Sequence, residues 1–486
     1  MNTNRRIIAT AVLTALAGLA CNGVLAAEKK SQPADRSVPL DRSGYFDKGA
    51  ATTDDLRRVA MPSGFNELKT SFVIKNARLF DSTGAPVRDA TVVVVGNKIS
   101  KILPANATDF PKDAEVIDAA GRTVMPGLID MHIHMTYVFD RSGPPELTLD
   151  SQADGTLRGM ERLRYFVDSG ITSVRDTASN GMAPFILKDW ADQGMIPSPR
   201  VFPVGQLITG TGGHADELFI QRTAPEFEGS MIRTANGPDE WREAVRTQFK
   251  RGADWIKIAS HFDEDEVQMA VKEAHQLGLR ITVDSENVFT DMAVKAGVDC
   301  VEHPLPRSDE TVKLMAARGI ASIPTIVPYQ LIIQSYGGYY GTTSRRFSLT
   351  EPHMFEMVKK MKDAGVKLGV GTDIVMSWYR RLPGPYIQEL KNFERIGYKP
   401  DEALIAATRT NAEILGMADR LGTIEPGKLA DIIIVDGKPD ANVEDLAKVP
   451  FVMVGGRVVK RDGRIEPTPR RPDPEEKAAT NPRKMD

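Results

Sequence analysis

The stretch Gly297-Val-Asp-Cys-Val-Glu-His303 sets a pattern that the middle of the chain repeats: a glycine, a short apolar run, then a polar residue. Such glycines fall at 170, 252, 278, 297, 319 and 365, each after a stretch of helical character. There glycine takes the left-handed conformation that ends a helix and that other residues resist. The runs that follow are Ile171 to Val174, Ala253 to Ile256, Leu279 to Val283, Val298 to Val301, Ile320 to Ile323 and Val366 to Val370. Strands expected before His132 and around Val201 to Val204 bring the candidates to eight. Helix alternating with strand implies a parallel sheet, and this number favours an α/β fold of the (β/α)8 barrel type over an open doubly wound sheet. No G-x-G-x-x-G or P-loop pattern competes. In such a barrel the reacting groups stand at the C-terminal ends of the strands, which here carry Asp176, Lys257, Asp284, His303, Thr325 and Asp373.

Outward from the barrel, Ser71 to Val124 holds short β-rich runs with turn signals at Gly84 and Gly96-Asn97, and similar runs return in Ala430 to Val435 and Phe451 to Val459. The two ends are expected to form one discontinuous β-sandwich domain over 71–124 plus 420–465, with the barrel over 125–419. Residues 27–70 read as an extended polar arm and the proline-rich 466–486 as a disordered tail. Residues 1–26 have the basic start, short apolar run and small residues of a signal peptide, so a periplasmic or secreted protein is expected. Sec, Tat and lipoprotein signals all stay open. Removal of that segment leaves Cys300 as the one thiol and no internal disulfide. No other run is long enough to span a bilayer.

The 486 residues are 41% hydrophobic and 26% charged, which excludes a disordered or fibrous chain. At about 150 residues per domain that length allows roughly three domains, or one large barrel with a smaller companion. Lys and Arg number 62 against 65 Asp and Glu, so the net charge of -3 offers no basic field for nucleic acid. A small-molecule partner is the expectation, and self-association of the chain stays open.

Within Met125-Pro-Gly-Leu-Ile-Asp-Met-His-Ile-His134, the two histidines are two apart on a strand and share a face, so His132 and His134 can hold one metal. Ordinary strand histidines satisfy that spacing too. Lys257, in Trp255-Ile-Lys-Ile258, would be costly as a bare ammonium inside a barrel. A carbamate formed with carbon dioxide would make it an anionic oxygen ligand, although a lysine facing solvent or paired with a carboxylate fits the residues alone better. His303 and Asp373 each close a strand, where a helix cap is an equally good reading. Their recurrence at one rim favours a shared site.

Taken together, Pro126 to His134, Gly170-Ile-Thr-Ser-Val-Arg-Asp176, Thr211-Gly-Gly-His214, Ile256-Lys-Ile258, Gly297 to His303, Gly371-Thr-Asp373 and Leu421-Gly-Thr-Ile-Glu-Pro-Gly-Lys-Leu-Ala-Asp431 resemble the amidohydrolase superfamily. The likeness is to its branch related to imidazolonepropionase and Xaa-Pro dipeptidases, and it covers about Ser71 to Gly463. What the resemblance implies is a metal barrel with a composite β-sandwich. His132, His134 and Asp373 would bind one divalent ion, zinc by preference, carboxylated Lys257 would bridge, and His303 would bind a second ion. The companion on the fifth strand is a histidine in the family, and here Asp284 stands in its place, which puts the second ion in doubt.

The expected chemistry is hydrolysis of an amide, in an Xaa-Pro-like dipeptide or an N-acyl amino acid, by a metal-activated hydroxide with Asp373 as proton shuttle. His214, after Gly212-Gly213, is placed to hydrogen-bond the substrate carbonyl, Arg175 to pair with a substrate carboxylate or with Asp176, and Tyr339 and Tyr340 to wall the pocket. His261 is read as a solvated loop residue that could reach inward, and His275 as facing the last turn of a helix. Two other readings stay open: a mononuclear deaminase of cyclic amidines, and an exported binding protein on a degenerated scaffold.

Overall fold

The computed structural model describes residues 70–137, 152–216, 229–341, 345, 347–375 and 378–468. The signal segment, the arm through residue 69 and the tail from 469 lie outside the described residues. Five strands open the chain: β1 (Ser71–Leu79), β2 (Arg88–Val95), β3 (Lys98–Pro104), β4 (Glu115–Asp118) and β5 (Thr123–Pro126). Barrel strands follow as β6 (Leu128–Ile133), β7 (Ile171–Asp176), β8 (Arg200–Pro203), β9 (Leu207–Thr209), β10 (Ile232–Thr234), β11 (Trp255–Ala259), β12 (Arg280–Asp284), β13 (Cys300–Glu302) and β14 (Ala321–Ile323). The chain closes with β15 (Ile432–Val435), β16 (Phe451–Val454), β17 (Arg457–Arg461) and β18 (Arg464–Ile465).

Both ends of the chain share one sheet, ordered β18-β17-β16-β15-β5-β1-β2-β3 with β4 beside β1. The junction is the antiparallel pair β5–β15, from Ile432 opposite Pro126 to Val435 opposite Thr123. Alternation along a strand sends successive side chains to opposite faces. Ile432 and Ile434 therefore fill the sheet's own core with Phe72, Ile74 and Val124, while Ile433 and Val435 join the core of the barrel.

β6, β7 and β8 are parallel and in sequence order, as are β11 through β14. Asp254 N–H donates to the Pro203 carbonyl at 2.8 Å, joining the two sets. All six glycines of the repeated pattern have positive φ, from 68° at Gly319 to 100° at Gly252. The strand expected at Val366 to Val370 is not a regular one. Single bridges, Ser322 with Leu368 and Ile133 with Ile374, close the barrel there. The reason is Asn411, whose side chain takes Val370 N–H at 2.9 Å and donates to the carbonyls of Val370 and Ile129, replacing ladder bonds. No described helix is long and apolar enough to cross a membrane.

Candidate active site

His132 lies near the end of β6 and His134 just beyond it, and the bridge beside Ile374 brings Asp373 alongside them, with Asp373 N–H donating to the His132 carbonyl at 2.6 Å. Asp373 Oδ1 lies 3.2 Å from His134 Nε2 and 3.6 Å from His132 Nε2. The donor atoms of these three residues fall within 4.8 Å of one another, the group of that kind found among the described residues. The opposite ring nitrogens are already engaged: His132 Nδ1 with Glu302 Oε2 at 2.8 Å and His134 Nδ1 with the Ala178 carbonyl at 3.1 Å. Each Nδ1 is thus held from behind, and each Nε2 faces the Asp373 carboxylate. Burial, then the charge of Lys257, holds the His132 pKa well below the ordinary imidazole value. Burial alone would raise the Asp373 pKa, but His132, the bond to His134 and the nearby imidazoles bring it below the usual carboxylate range. Two imidazoles and a carboxylate, oriented from behind, form a donor set that fits one divalent cation.

A second set adjoins it. His303 Nε2 lies 3.0 Å from Asp284 Oδ2, and His303 Nδ1 lies 2.7 Å from Thr325 Oγ1. Lys257 Nζ sits between the sets, 3.3 Å from His132 Nε2 and 3.5 Å from Asp284 Oδ2. His214 Nε2, on the loop after Gly213, is 3.5 Å from the same oxygen. The structure thus brings His132, His134, Lys257, Asp284, His303 and Asp373 to one mouth, with His214 at its rim. Three of these strand-end residues, His303, Thr325 and Asp373, have left-handed φ of 66°, 42° and 46°. Strain of that kind persists where the surroundings over-determine it, as at a functional site.

Other expectations need correcting. Arg175 is fully buried and does not reach toward a substrate or Asp176; it donates to the Met131 carbonyl at 2.7 Å and to Glu302 Oε1 at 2.5 Å, with Trp255 against its guanidinium. Asp176 instead accepts from Met135 N–H and Ser179, both at 2.9 Å. Tyr340 is 71% exposed, whereas Tyr339 meets the Tyr329 ring edge-on and the Phe347 ring at a tilt. His261 packs on Phe289, with ring centroids 4.8 Å apart, whereas His275 stands in the last turn of its helix as expected and pairs there with Asp299 at 3.0 Å.

Two residues went unread in the sequence. Glu302, beneath the site, binds His132, Arg175 and Thr282. Arg345, on the loop between the helices Ile326–Tyr336 and Glu351–Asp363, is buried and donates to Asp284 Oδ1 at 2.5 Å and to the Asp284 carbonyl at 3.2 Å. Its Nε lies 3.4 Å from Glu286 Oε2. Burial opposes the Asp284 charge, but Arg345 and then His303 hold its pKa well below the ordinary value.

Residues 123–459 match the pattern of the amidohydrolase family. The chain is 26% identical to an ochratoxinase of Aspergillus niger over 84% of its own length and 90% of that protein. It is 24% identical to an imidazolonepropionase of Geobacillus kaustophilus, over 78% of its length and 90% of that one. Among solved structures, a Xaa-Pro dipeptidase with bound methionine in its active site superposes with a TM-score of 0.70 at 27% identity, covering 80% of this chain and all of the other.

Proposed function

The chain belongs to the amidohydrolase family, and from that premise we propose that it is a metal-dependent hydrolase that cleaves the amide bond of an Xaa-Pro-like dipeptide or an N-acyl amino acid. The observation that carries this reading is the convergence of His132 Nε2 and His134 Nε2 on Asp373 Oδ1, with both Nδ1 atoms committed behind them. His132, His134 and Asp373 would hold a divalent cation, which would lower the pKa of a water and polarise the amide carbonyl.

This chain's own groups do the rest. Asp373, kept ionised by the imidazoles around it, accepts the proton released by the attacking water and returns it to the leaving nitrogen. Its Oδ2, 4.0 Å from His303 Nδ1, faces away from the oxygen that meets His134 and is the atom available for that transfer. His214, partly exposed at the rim, hydrogen-bonds the substrate carbonyl oxygen and steadies the charge that develops there. Lys257 borders both halves: as a carbamate it would add an oxygen donor, and as an amine it has Asp284 for a partner. The Xaa-Pro preference draws on the likeness to the Xaa-Pro dipeptidase structure.

The test is cation analysis with a screen of Xaa-Pro dipeptides and N-acyl amino acids after zinc or manganese loading. The proposal expects bound cation, release of a free amine, and a loss of turnover of at least about a hundredfold in Asp373→Asn. A chain that takes up no cation and leaves every amide intact would refute it; ammonia release from a cyclic amidine without amide cleavage would assign deamination instead.

A further inference from the structure

We infer that the centre takes a single divalent cation, and that Arg345, locked onto Asp284, supplies the positive charge in the half of the site where a second cation would sit. This rests on the reading of His132, His134 and Asp373 given above. Both Asp284 oxygens are engaged: Oδ1 takes the Arg345 guanidinium at 2.5 Å, and Oδ2 faces His303 at 3.0 Å, His214 at 3.5 Å and Lys257 at 3.5 Å. A second cation would therefore have to share that carboxylate with a guanidinium. Arginine does not lose its proton in proteins, so the competition cannot be relieved by deprotonation, and two cations on one buried carboxylate repel strongly in a medium of low dielectric.

The donor inventory agrees. Among the described residues, the three-donor group within 4.8 Å is His132, His134 and Asp373; His303 and Asp284 do not assemble a comparable group with a third carboxylate or imidazole. Arg345 is also held rather than draped. It is buried, its Nε lies 3.4 Å from Glu286 Oε2, and the loop that carries it is closed at its base by paired backbone bonds between Tyr339 and Leu349, at 3.1 and 2.7 Å. Tyr339 meets the Tyr329 ring edge-on, and Tyr329 meets the His303 ring in the same way, so the loop is tied to the same ring that faces Asp284. The aspartate at 284 and the arginine at 345 are then one device. An imidazole at 284 would offer Arg345 no anion, and a shorter or neutral residue at 345 would leave Asp284 Oδ1 without the guanidinium, with Lys257, His303 and His214 facing Oδ2 alone.

The test counts ions. The full chain, stripped and reloaded with excess manganese(II) and then desalted, is analysed by inductively coupled plasma mass spectrometry and by electron paramagnetic resonance. The expected result is one manganese per chain with the spectrum of an isolated ion, unchanged in number in Asp284→Asn, because Asp284 is not a ligand. Two ions per chain, or the spectrum of an exchange-coupled pair, would overturn the inference while leaving the proposed hydrolase standing. A chain that binds none would instead remove the reading of His132, His134 and Asp373 on which both depend. Should Asp284→Asn fail to fold, the count and spectrum of the unaltered chain decide by themselves.

Discussion

Glu302 does more for His132 than any residue beside it in sequence. Its Oε2 accepts the Nδ1 proton at 2.8 Å, and its Oε1 is held by Arg175 and Thr282, so the imidazole is fixed in tautomer and in plane. Glu302→Gln is expected to lower cation affinity 10- to 100-fold, measured by competition with a chromophoric chelator; an unchanged affinity would show that Glu302 is only a partner for Arg175. This role was not legible because alternation along a strand puts Glu302 and His303 on opposite faces. The left-handed φ of His303 breaks that alternation, and both side chains end beside His132. His132, His134 and Asp373 were legible since each stands at a strand end in its own motif. Arg345 was not, because its loop is placed by tertiary packing that no local pattern encodes. A second buried acid answers to pH. Glu389 accepts from Ile326 and Val327 N–H, both at 2.8 Å, yet burial pushes its pKa to about 7 from an ordinary 4.5. The folded chain thus holds this proton more tightly than the unfolded one, so the stabilisation is complete below the ordinary value and is lost as pH rises through 7. Relative to Glu389→Gln, the unaltered chain is expected to lose on the order of 2 kcal/mol of unfolding free energy between pH 5 and pH 8, read by denaturant titration at both; parallel curves for the two proteins would contradict it.

At the scale of the element, an irregular join in the barrel is one that the chemistry uses. Residues 366–374 make bridges rather than a ladder, and Asn411 substitutes for the missing bonds, yet this segment must hold Asp373 against His132. It can approach so closely because Gly371 has no side chain. A Cβ there would lie 2.6 Å from Ile323 Cγ2 and 2.9 Å from both Cβ and N of His132. Gly371→Ala is expected to cost about 1–3 kcal/mol through overpacking and, by moving the segment off β6, to weaken cation binding more than an equally destabilising core change remote from the site. Calorimetry and chelator competition on the same sample check both parts; a loss of stability with intact affinity would mean the segment yields elsewhere. The sequence pattern of glycine, apolar run and polar end foretold every regular barrel strand after β6 that follows such a glycine. It misjudged the last run because Gly369 within it and Gly371 just after it favour close approach over a ladder, and because Asn411 lies far along the chain.

At the scale of the whole molecule, the sheet and the barrel meet without a linker. Only Gly127 separates β5 from β6, and its N–H donates to the Asp431 carbonyl at 3.0 Å, so a residue from near the C-terminus braces the entry to the first barrel strand. The Asp431 side chain then ties both layers, with Oδ1 accepting from Gly455 N–H at 2.6 Å in the sheet and from Arg200 at 3.2 Å in β8. Alternate residues of β15 and β16 fill the two cores at once, Ile433 and Val452 on the barrel side and Ile432 and Met453 on the other. Cores that share strands should melt together. Asp431→Ala removes the carboxylate from a buried arginine, a change that costs about 3 kcal/mol when one partner of a buried pair is lost. The expected outcome in scanning calorimetry is one transition displaced to lower temperature as a unit, with far-ultraviolet circular dichroism and intrinsic tryptophan fluorescence losing signal together. Two separated transitions in the variant, the earlier one leaving tryptophan fluorescence unchanged, would mean that the terminal strands form a sheet able to unfold while the barrel and its histidines stay in place.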